Sequence, residues 1–223
     1  LEAKGFDRQT LGSNVQLIMM EDLLAKVTAP KKLLVMAACS VLPRAILQKL
    51  FCKYVNPRKT AVILFSSGSE GSPKGIELSH QNILANVKQV TEMLNLSEDD
   101  VMLANLPPFH AFGLTVTHFL PLLERIPLVT HADPTDVLAC AKAIAKNQVS
   151  VLFGTSTFFR LYTRNSKVHP LMLQSLRLLV SGAEKLQQQV RNEFKLKFNK
   201  DIYEGYGATE TAPVACVNLR DCI

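Results

Sequence analysis

From residue 60 onward the chain alternates short apolar runs with stripes of apolar residues at helical spacing. The runs cover residues 61–65, 101–106, 149–153 and 176–180. They are apolar at successive positions rather than at alternate ones, as in strands buried on two sides. Between them, Ile83, Leu84, Val87, Val90 and Leu94 share one helical face, and Val137, Leu138, Ala141, Ile144 and Ala145 share a second. Leu186, Val190 and Phe194 mark a third. Ser79 and Thr135 stand where the first two helices need an N-cap. Strands of this kind alternating with helices predict an α/β fold, a mostly parallel sheet with helices on both faces.

Residues 1–59 read differently. A short strand over residues 15–19 is followed by helical stretches broken at Pro30 and Pro43. The net charge is +6, and the whole excess falls in residues 1–60, which hold 10 basic and 4 acidic residues against 15 of each in the remainder. Such a segment is a solvated helical surface or a face for an acidic partner, such as an acidic carrier protein or an anionic lipid. Nucleic acid is not expected, because there is no run of five basic residues, no Trp and no interleaving of Arg with aromatics. The expected division is a basic, mainly helical segment over 1–59 and a core over 60–223.

Hydrophobic residues make up 48% of the chain and charged residues 20%, enough apolar surface for a sizeable core. No apolar run reaches membrane-spanning length, and no signal-peptide core follows Leu1. The five cysteines, Cys39, Cys52, Cys140, Cys216 and Cys222, form no C-x-x-C pair and read as reduced thiols of a cytoplasmic protein. The chain starts without Met, so a piece of a longer protein is expected.

Four segments could carry chemistry. Residues 66–75 run Ser-Ser-Gly-Ser-Glu-Gly-Ser-Pro-Lys-Gly. Glycines let backbone amides approach a ligand, hydroxyls donate to phosphate oxygens, and Lys74 adds a charge. A Walker A loop would open a helix at its lysine, but here Pro73 precedes Lys74, Gly75 follows it, and residues 76–78 read as a strand. The loop is either a phosphate-holding hairpin of another design or an ordinary Gly/Ser turn. Residues 107–114 leave the end of a predicted strand, where ligands sit in open α/β sheets, and His110 opens a helix with Val116, Phe119, Leu120 and Leu123 inward. Residues 180–184 leave another strand end. In residues 203–210, Gly205 and Gly207 bracket Tyr206, an aromatic able to stack on a base, and Glu210 could hold magnesium.

Together, in this order and spacing, these segments resemble the adenylate-forming superfamily of acyl-CoA synthetases, luciferases and nonribosomal adenylation domains. Residues 66–75 resemble its phosphate loop, with Glu70 where most members have threonine. Pro108-Phe109-His110 with Gly113 resembles its substrate-side motif, and Tyr206-Gly207-Ala208-Thr209-Glu210 its Tyr-Gly-x-Thr-Glu motif. Within the superfamily, residues 109–116, 152–158, 181–187 and 204–207 are most similar to the bacterial bifunctional 2-acylglycerophosphoethanolamine acyltransferase/acyl-acyl-carrier-protein synthetases.

The resemblance implies a large N-terminal domain of an adenylate-forming enzyme, ATP and magnesium as cofactors, and a set of roles. Ser66, Ser67, Gly68, Ser69, Gly71 and Lys74 would cradle phosphates. Gly182, Ala183 and Glu184 would line the adenine, with Gly205, Tyr206 and Gly207 opposite. Thr209 would touch the α-phosphate, Glu210 would hold the metal, and His110 would border the acyl carboxylate. Gly154, Thr155 and Ser156 would wall the acyl tunnel. A fatty acid would be activated as acyl-adenylate and passed to the phosphopantetheine thiol of acyl carrier protein, in a parent protein at the cytoplasmic face of the bacterial inner membrane.

The family's ribose-binding aspartate, hinge and C-terminal lysine-bearing domain would follow the Tyr-Gly-x-Thr-Glu motif, so this chain is expected to have little turnover alone. His131 and Asp136 fit an acyltransferase's His-x-x-x-x-Asp spacing, but no glycine-rich partner motif follows, and they read as a strand-end residue and a first-turn helix charge. Two other readings remain: a ligase with coenzyme A as acceptor, and a non-catalytic module docking through the basic residues 26–59. The Pro73-Lys74-Gly75 sequence argues against a P-loop NTPase.

Overall fold

The computed structural model describes residues 19–52, 54–66 and 73–219. The chain divides into two compact units, Leu1–Val55 and Asn56–Ile223. In the first, three helices follow one another: α1 (Met20–Ala25), α2 (Ala29–Val41) and α3 (Arg44–Phe51). The prolines start these helices rather than break them. Pro30 lies in the first turn of α2 and Pro43 is the N-cap of α3. A proline at a helix start costs nothing there, because its missing N–H would have had no intrahelical acceptor. The strand expected over 15–19 lies outside the described residues, apart from Met19, the extended N-cap of α1.

The second unit is built on two sheets. Strands β1 (Thr60–Ser66) and β2 (Lys74–Ser79) form an antiparallel hairpin, with Ser66 opposite Lys74 in the ladder. The apolar run at 61–65 therefore does not join the parallel sheet as its composition suggested. Its neighbour in sequence, residues 76–78, is near enough to pair with it directly, and an antiparallel pair needs no crossover helix.

The main sheet contains β3 (Met102–Ala104), β4 (Leu128–Thr130), β5 (Val151–Gly154), β6 (Leu178–Ser181), β7 (Tyr203–Gly207) and β8 (Val214–Asn218). Its order is β4-β3-β5-β6-β7-β8, parallel except for the last pair. Met102, Val151, Phe153, Leu178 and Val180 enter one apolar cluster, while Leu103, Leu152 and Leu179 enter the other. Neighbouring residues of a strand thus feed opposite faces, which is why these runs are apolar at successive positions.

Helix α4 (His80–Met93) covers the first face, with α5 (Ala111–Leu114), a π turn at Thr115–Phe119 and α6 (Leu120–Leu123). The second face carries α7 (Val137–Asn147), α8 (Ser156–Arg164) and α9 (Gln188–Phe198). Ser79 caps α4 as its sequence suggests: its hydroxyl accepts from the Asn82 amide at 3.1 Å while the Asn82 side chain accepts from the Ser79 amide at 3.0 Å. The cap of α7 is Asp136, not Thr135. The Asp136 carboxylate accepts from the Ala139 amide at 3.0 Å, whereas Thr135 turns its own amide and hydroxyl to Asp133. Of the inner face expected after His110, Val116 and Leu120 are fully buried, but Leu123 is exposed. The π turn, where Thr117 and His118 both reach the Gly113 carbonyl, shifts the helical phase before Leu123 is reached.

Candidate active site

The parallel strands end in loops that converge on one cavity of about 680 Å³. Its lining comes from five stretches distant in sequence: Phe65 and Ser66 from β1, Leu106, Pro107 and residues 110–113 after β3, Thr155 after β5, Gly182 and Ala183 after β6, and residues 205–209 at the end of β7. Val90 and Leu94 of α4 and Val214 and Val217 of β8 add an apolar side. The C-terminal edge of an open parallel sheet is where ligands bind, because the loops there diverge and leave a crevice.

Local sequence shapes each wall. Gly182 has the Phe112 ring against it, so that an added Cβ would lie 2.8 Å from Phe112 Cζ; Phe112 is itself held edge-on to Phe153, with ring centroids 6.1 Å apart. At Gly207 a Cβ would fall 1.9 Å from the Pro213 carbonyl oxygen, which no side-chain motion can relieve. Ala183 has φ +65°, a left-handed turn that directs the chain out of β6. Tyr206 is exposed at the cavity's mouth, and His110 is the exposed N-cap of α5 beside the Phe109 ring.

Of the residues singled out in the sequence, Ser66, His110, Thr155, Gly182, Ala183, Gly205, Tyr206, Gly207 and Thr209 line this one cavity. Ser67, Gly68, Ser69, Glu70 and Gly71 lie outside the described residues. Lys74 is exposed at the hairpin end, opposite Ser66, and Glu210 is exposed next to Thr209; neither lines the cavity itself. Gly154 and Ser156 also fall outside the lining: a Cβ at Gly154 would meet the Phe159 ring on the other face of the sheet, and the buried Ser156 hydroxyl accepts from the Gln187 amide. The Glu184 carboxylate turns away to the start of α8, where it accepts from the Thr157 amide. Burial raises its pKa, but hydrogen bonds from Thr157 and Thr155 and the nearby Arg160 outweigh that and hold it below the ordinary carboxylate range.

Two residues with positional roles were missed. Asn86 interrupts the apolar stripe of α4, is buried, and pairs twice with the Val214 backbone, at 2.7 and 3.1 Å, pinning β8 beside the cavity. A lone amide among Ile83, Val87 and Val90 was the available signal. Glu204, one residue before the glycine pair, accepts from the Leu186 amide at 2.7 Å; the 204–207 segment includes it, but nothing local in the sequence gives it this positional role.

The donors fit the groups such a site would need. Magnesium is commonly held by one or two carboxylates together with phosphate oxygens, and Glu210 beside the cavity-lining Thr209 supplies one such carboxylate. Gly182, Gly205 and Gly207 leave bare backbone around Tyr206, a cradle suited to a planar base.

The profile of the AMP-binding enzyme family matches residues 15–222. The chain belongs to this family. It is 32% identical over 171 residues to a long-chain-fatty-acid–CoA ligase of Escherichia coli O6:H1, covering 74% of this chain and 30% of that protein. It is likewise 32% identical over 164 residues to a probable 4-coumarate–CoA ligase 2 of Dictyostelium discoideum, covering 72% of this chain and 30% of the relative. The ATP-bound crystal structure of MatB from Rhodopseudomonas palustris superposes with a TM-score of 0.66 at 28% identity, over 75% of this chain and 32% of MatB. The chain thus spans about 30% of the length of the curated relatives it matches. The α/β architecture with its mostly parallel sheet is that of the N-terminal domains of adenylate-forming enzymes. Among the described residues, no helix is long and apolar enough to cross a membrane.

Proposed function

We propose that this chain is the nucleotide- and acid-binding part of an AMP-forming acid–thiol ligase that activates a fatty acid. The observation that carries the reading is the convergence of His110, Gly182, Ala183, Gly205, Tyr206, Gly207 and Thr209, from three distant segments, on one cavity. Ser66 brings the start of the phosphate loop to the same wall. Tyr206 would stack on adenine between bare backbone segments. Thr209 and the loop amides with Lys74 would hold phosphates, and Glu210 would hold magnesium, which supplies charge neutralisation on the phosphate oxygens when bound. The apolar side formed by Val90, Leu94, Val214 and Val217 suits an acyl chain, with His110 near its carboxylate.

In this reading the carboxylate attacks the α-phosphorus of ATP, forming the acyl-adenylate and releasing pyrophosphate. A thiol then takes the acyl group and AMP leaves. For the thiol, the subfamily resemblance of residues 109–116, 152–158 and 181–187 favours the phosphopantetheine of acyl carrier protein, in a phospholipid-reacylating parent at the cytoplasmic membrane face. The second reading is coenzyme A as acceptor, favoured by relatives named as CoA ligases.

Calorimetric titration with magnesium-ATP tests the nucleotide assignment: the chain should bind, and Lys74→Ala and Glu210→Gln should each weaken binding. Unchanged binding in both variants would remove the phosphate and metal assignments. Mass spectrometry of thioester products, using a protein of the relatives' length offered both thiols, separates the two acceptors.

A further inference from the structure

We infer that Glu204 is a positioning residue that sets the width of the slot between the Gly182–Ala183 wall and the Gly205–Tyr206–Gly207 wall, without touching the bound nucleotide. The inference rests on the nucleotide reading of the cavity.

The two walls belong to neighbouring strands. Ser181 at the end of β6 stands opposite Glu204 in the parallel ladder, and the two chains separate immediately afterwards. One continues into residues 182–187, which carry Ala183 at φ +65°, and the other into the glycine-flanked Tyr206. Parallel pairing alone does not fix how far two such ends diverge, because the ladder stops where the ligand must enter. Gly182 keeps one backbone bond back to the sheet, from its amide to the Gly154 carbonyl at 3.0 Å. Beyond it, side chains hold the loop.

Three of them do so. The Glu184 carboxylate binds the Thr157 amide, the Ser156 hydroxyl accepts from the Gln187 amide at 3.1 Å, and Glu204 Oε1 accepts from the Leu186 amide at 2.7 Å. The first two tie the loop to α8, away from β7. Only the third runs from the 182–187 segment to the strand that carries Tyr206, so it alone of the three joins the two walls, from the sheet face opposite the cavity. Arg191 aims the carboxylate. Its guanidinium donates to the Ile202 carbonyl at 3.0 Å and lies 3.7 Å from Glu204 Oε2, leaving Oε1 directed at Leu186. Leu186 is buried, so its amide needs this acceptor. Without it the amide would seek water and the loop would swing off β7, opening the gap a base must fill.

The test compares Glu204→Ala, which removes the acceptor, with Glu204→Gln, which keeps an oxygen for the Leu186 amide and removes the charge. Val190→Ala on α9 serves as a control for loss of stability alone. AMP affinity is measured by calorimetry on this chain, and amide hydrogen exchange at residues 183–186 is followed without nucleotide. We expect Glu204→Ala to weaken AMP binding about tenfold, the size of a lost charge-assisted hydrogen bond. Glu204→Gln should stay within about threefold of the parent, Val190→Ala should match it, and exchange at 183–186 should quicken only in Glu204→Ala. Equal AMP affinity in Glu204→Ala and the parent overturns the inference. So does a Gln variant as weak as the Ala variant, which would assign the effect to the charge itself. Unchanged loop exchange in Glu204→Ala removes the tie while leaving the nucleotide reading intact, whereas a parent chain without AMP affinity removes both.

Discussion

The two ends of the parallel sheet are built on opposite principles. At the N-terminal end, three strands are locked together just before they begin. Asp100 precedes β3, Ser150 precedes β5 and Arg177 precedes β6. Arg177 Nε donates to Asp100 Oδ1 at 2.7 Å, the Ser150 hydroxyl donates to the same oxygen at 2.7 Å, and the Ser97 amide donates to Oδ2 at 3.1 Å. Burial raises the pKa of Asp100, but these bonds and the Arg177 charge win and hold its carboxyl below the ordinary range. At the C-terminal end β5 finishes at Gly154, and β6 runs through a buried Ser181, whose hydroxyl has no partner among the described residues, into Gly182 and the left-handed Ala183. One end gives both Asp100 oxygens donors from three segments and fixes the register. The other leaves backbone bare at Gly182, Gly205 and Gly207 along the cavity, which is what a crevice for a ligand requires.

The contrast is broken most directly by removing its tight end. Asp100→Ala strips a buried carboxylate from three donors at once and should cost about 3 kcal/mol, the low end for a broken buried pair because Arg177 remains partly open to water. Urea unfolding would read the loss. AMP affinity of the folded variant should stay within about twofold of the parent, because the network lies at the far end of the strands. A parallel fall in affinity would show that the two ends are coupled.

Gly182→Ala attacks the other end. Its Cβ would meet the Phe112 ring, which is only half-buried and can turn, so the stability cost should be about 1 kcal/mol. Phe112 lines the cavity, so turning its ring takes up cavity space, and AMP affinity should fall by about tenfold, more than the stability change alone would suggest. Affinity unchanged in this variant would mean that the cavity's open volume beside Phe112 is not where the base lies.

How much of this was legible in the sequence follows from which interactions are local. Runs such as 149–153 announced strands buried on both sides because the pattern is written residue by residue. Ser79 announced its cap because the partner, Asn82, is three residues away. The four motifs gave most of the cavity lining because each is a short backbone shape dictated by its own glycines and aromatics. The pairing of residues 61–65 was misjudged because apolarity does not distinguish a hairpin strand from a sheet strand. Thr135 was preferred to Asp136 because either residue type can cap, and only the local turn through Asp133 decides. Glu204 and the Asp100 network stayed hidden for a different reason: their partners lie 18, 50 and 77 residues away, and nothing near them in the chain reports those distances.

Acid distinguishes the ends next. Asp100 has a folded pKa below its unfolded one, so its contribution is complete above the ordinary carboxylate range and is lost as pH falls through the depressed value. The parent should therefore lose stability steeply on acidification below that range. Asp100→Asn should start less stable at neutral pH and show a flatter acid limb. Glu184 is shifted in the same direction but is exposed, so Glu184→Gln should leave the limb nearly as steep as in the parent. Equal flattening in both variants would erase the distinction between a sheet end that holds the fold and one that only shapes a loop.

The smallest expected effect is the most pointed. Ser181 is fully buried at the last position of β6, opposite Glu204, and its hydroxyl has no partner among the described residues. Burying an unpaired hydroxyl is unfavourable, so Ser181→Ala should leave stability unchanged or raise it by up to about 1 kcal/mol. The opposite result is expected for Ser150→Ala at the other end, where the hydroxyl both donates to Asp100 and accepts from the Val101 amide at 3.0 Å; about 1–2 kcal/mol should be lost. Two serines on neighbouring strands, one before β5 and one ending β6, would then differ in sign. Ser181 does not line the cavity, although Val180 before it and Gly182 after it do, so AMP affinity of Ser181→Ala should stay within about twofold of the parent; a larger loss would show that packing behind the Gly182 wall reaches the site.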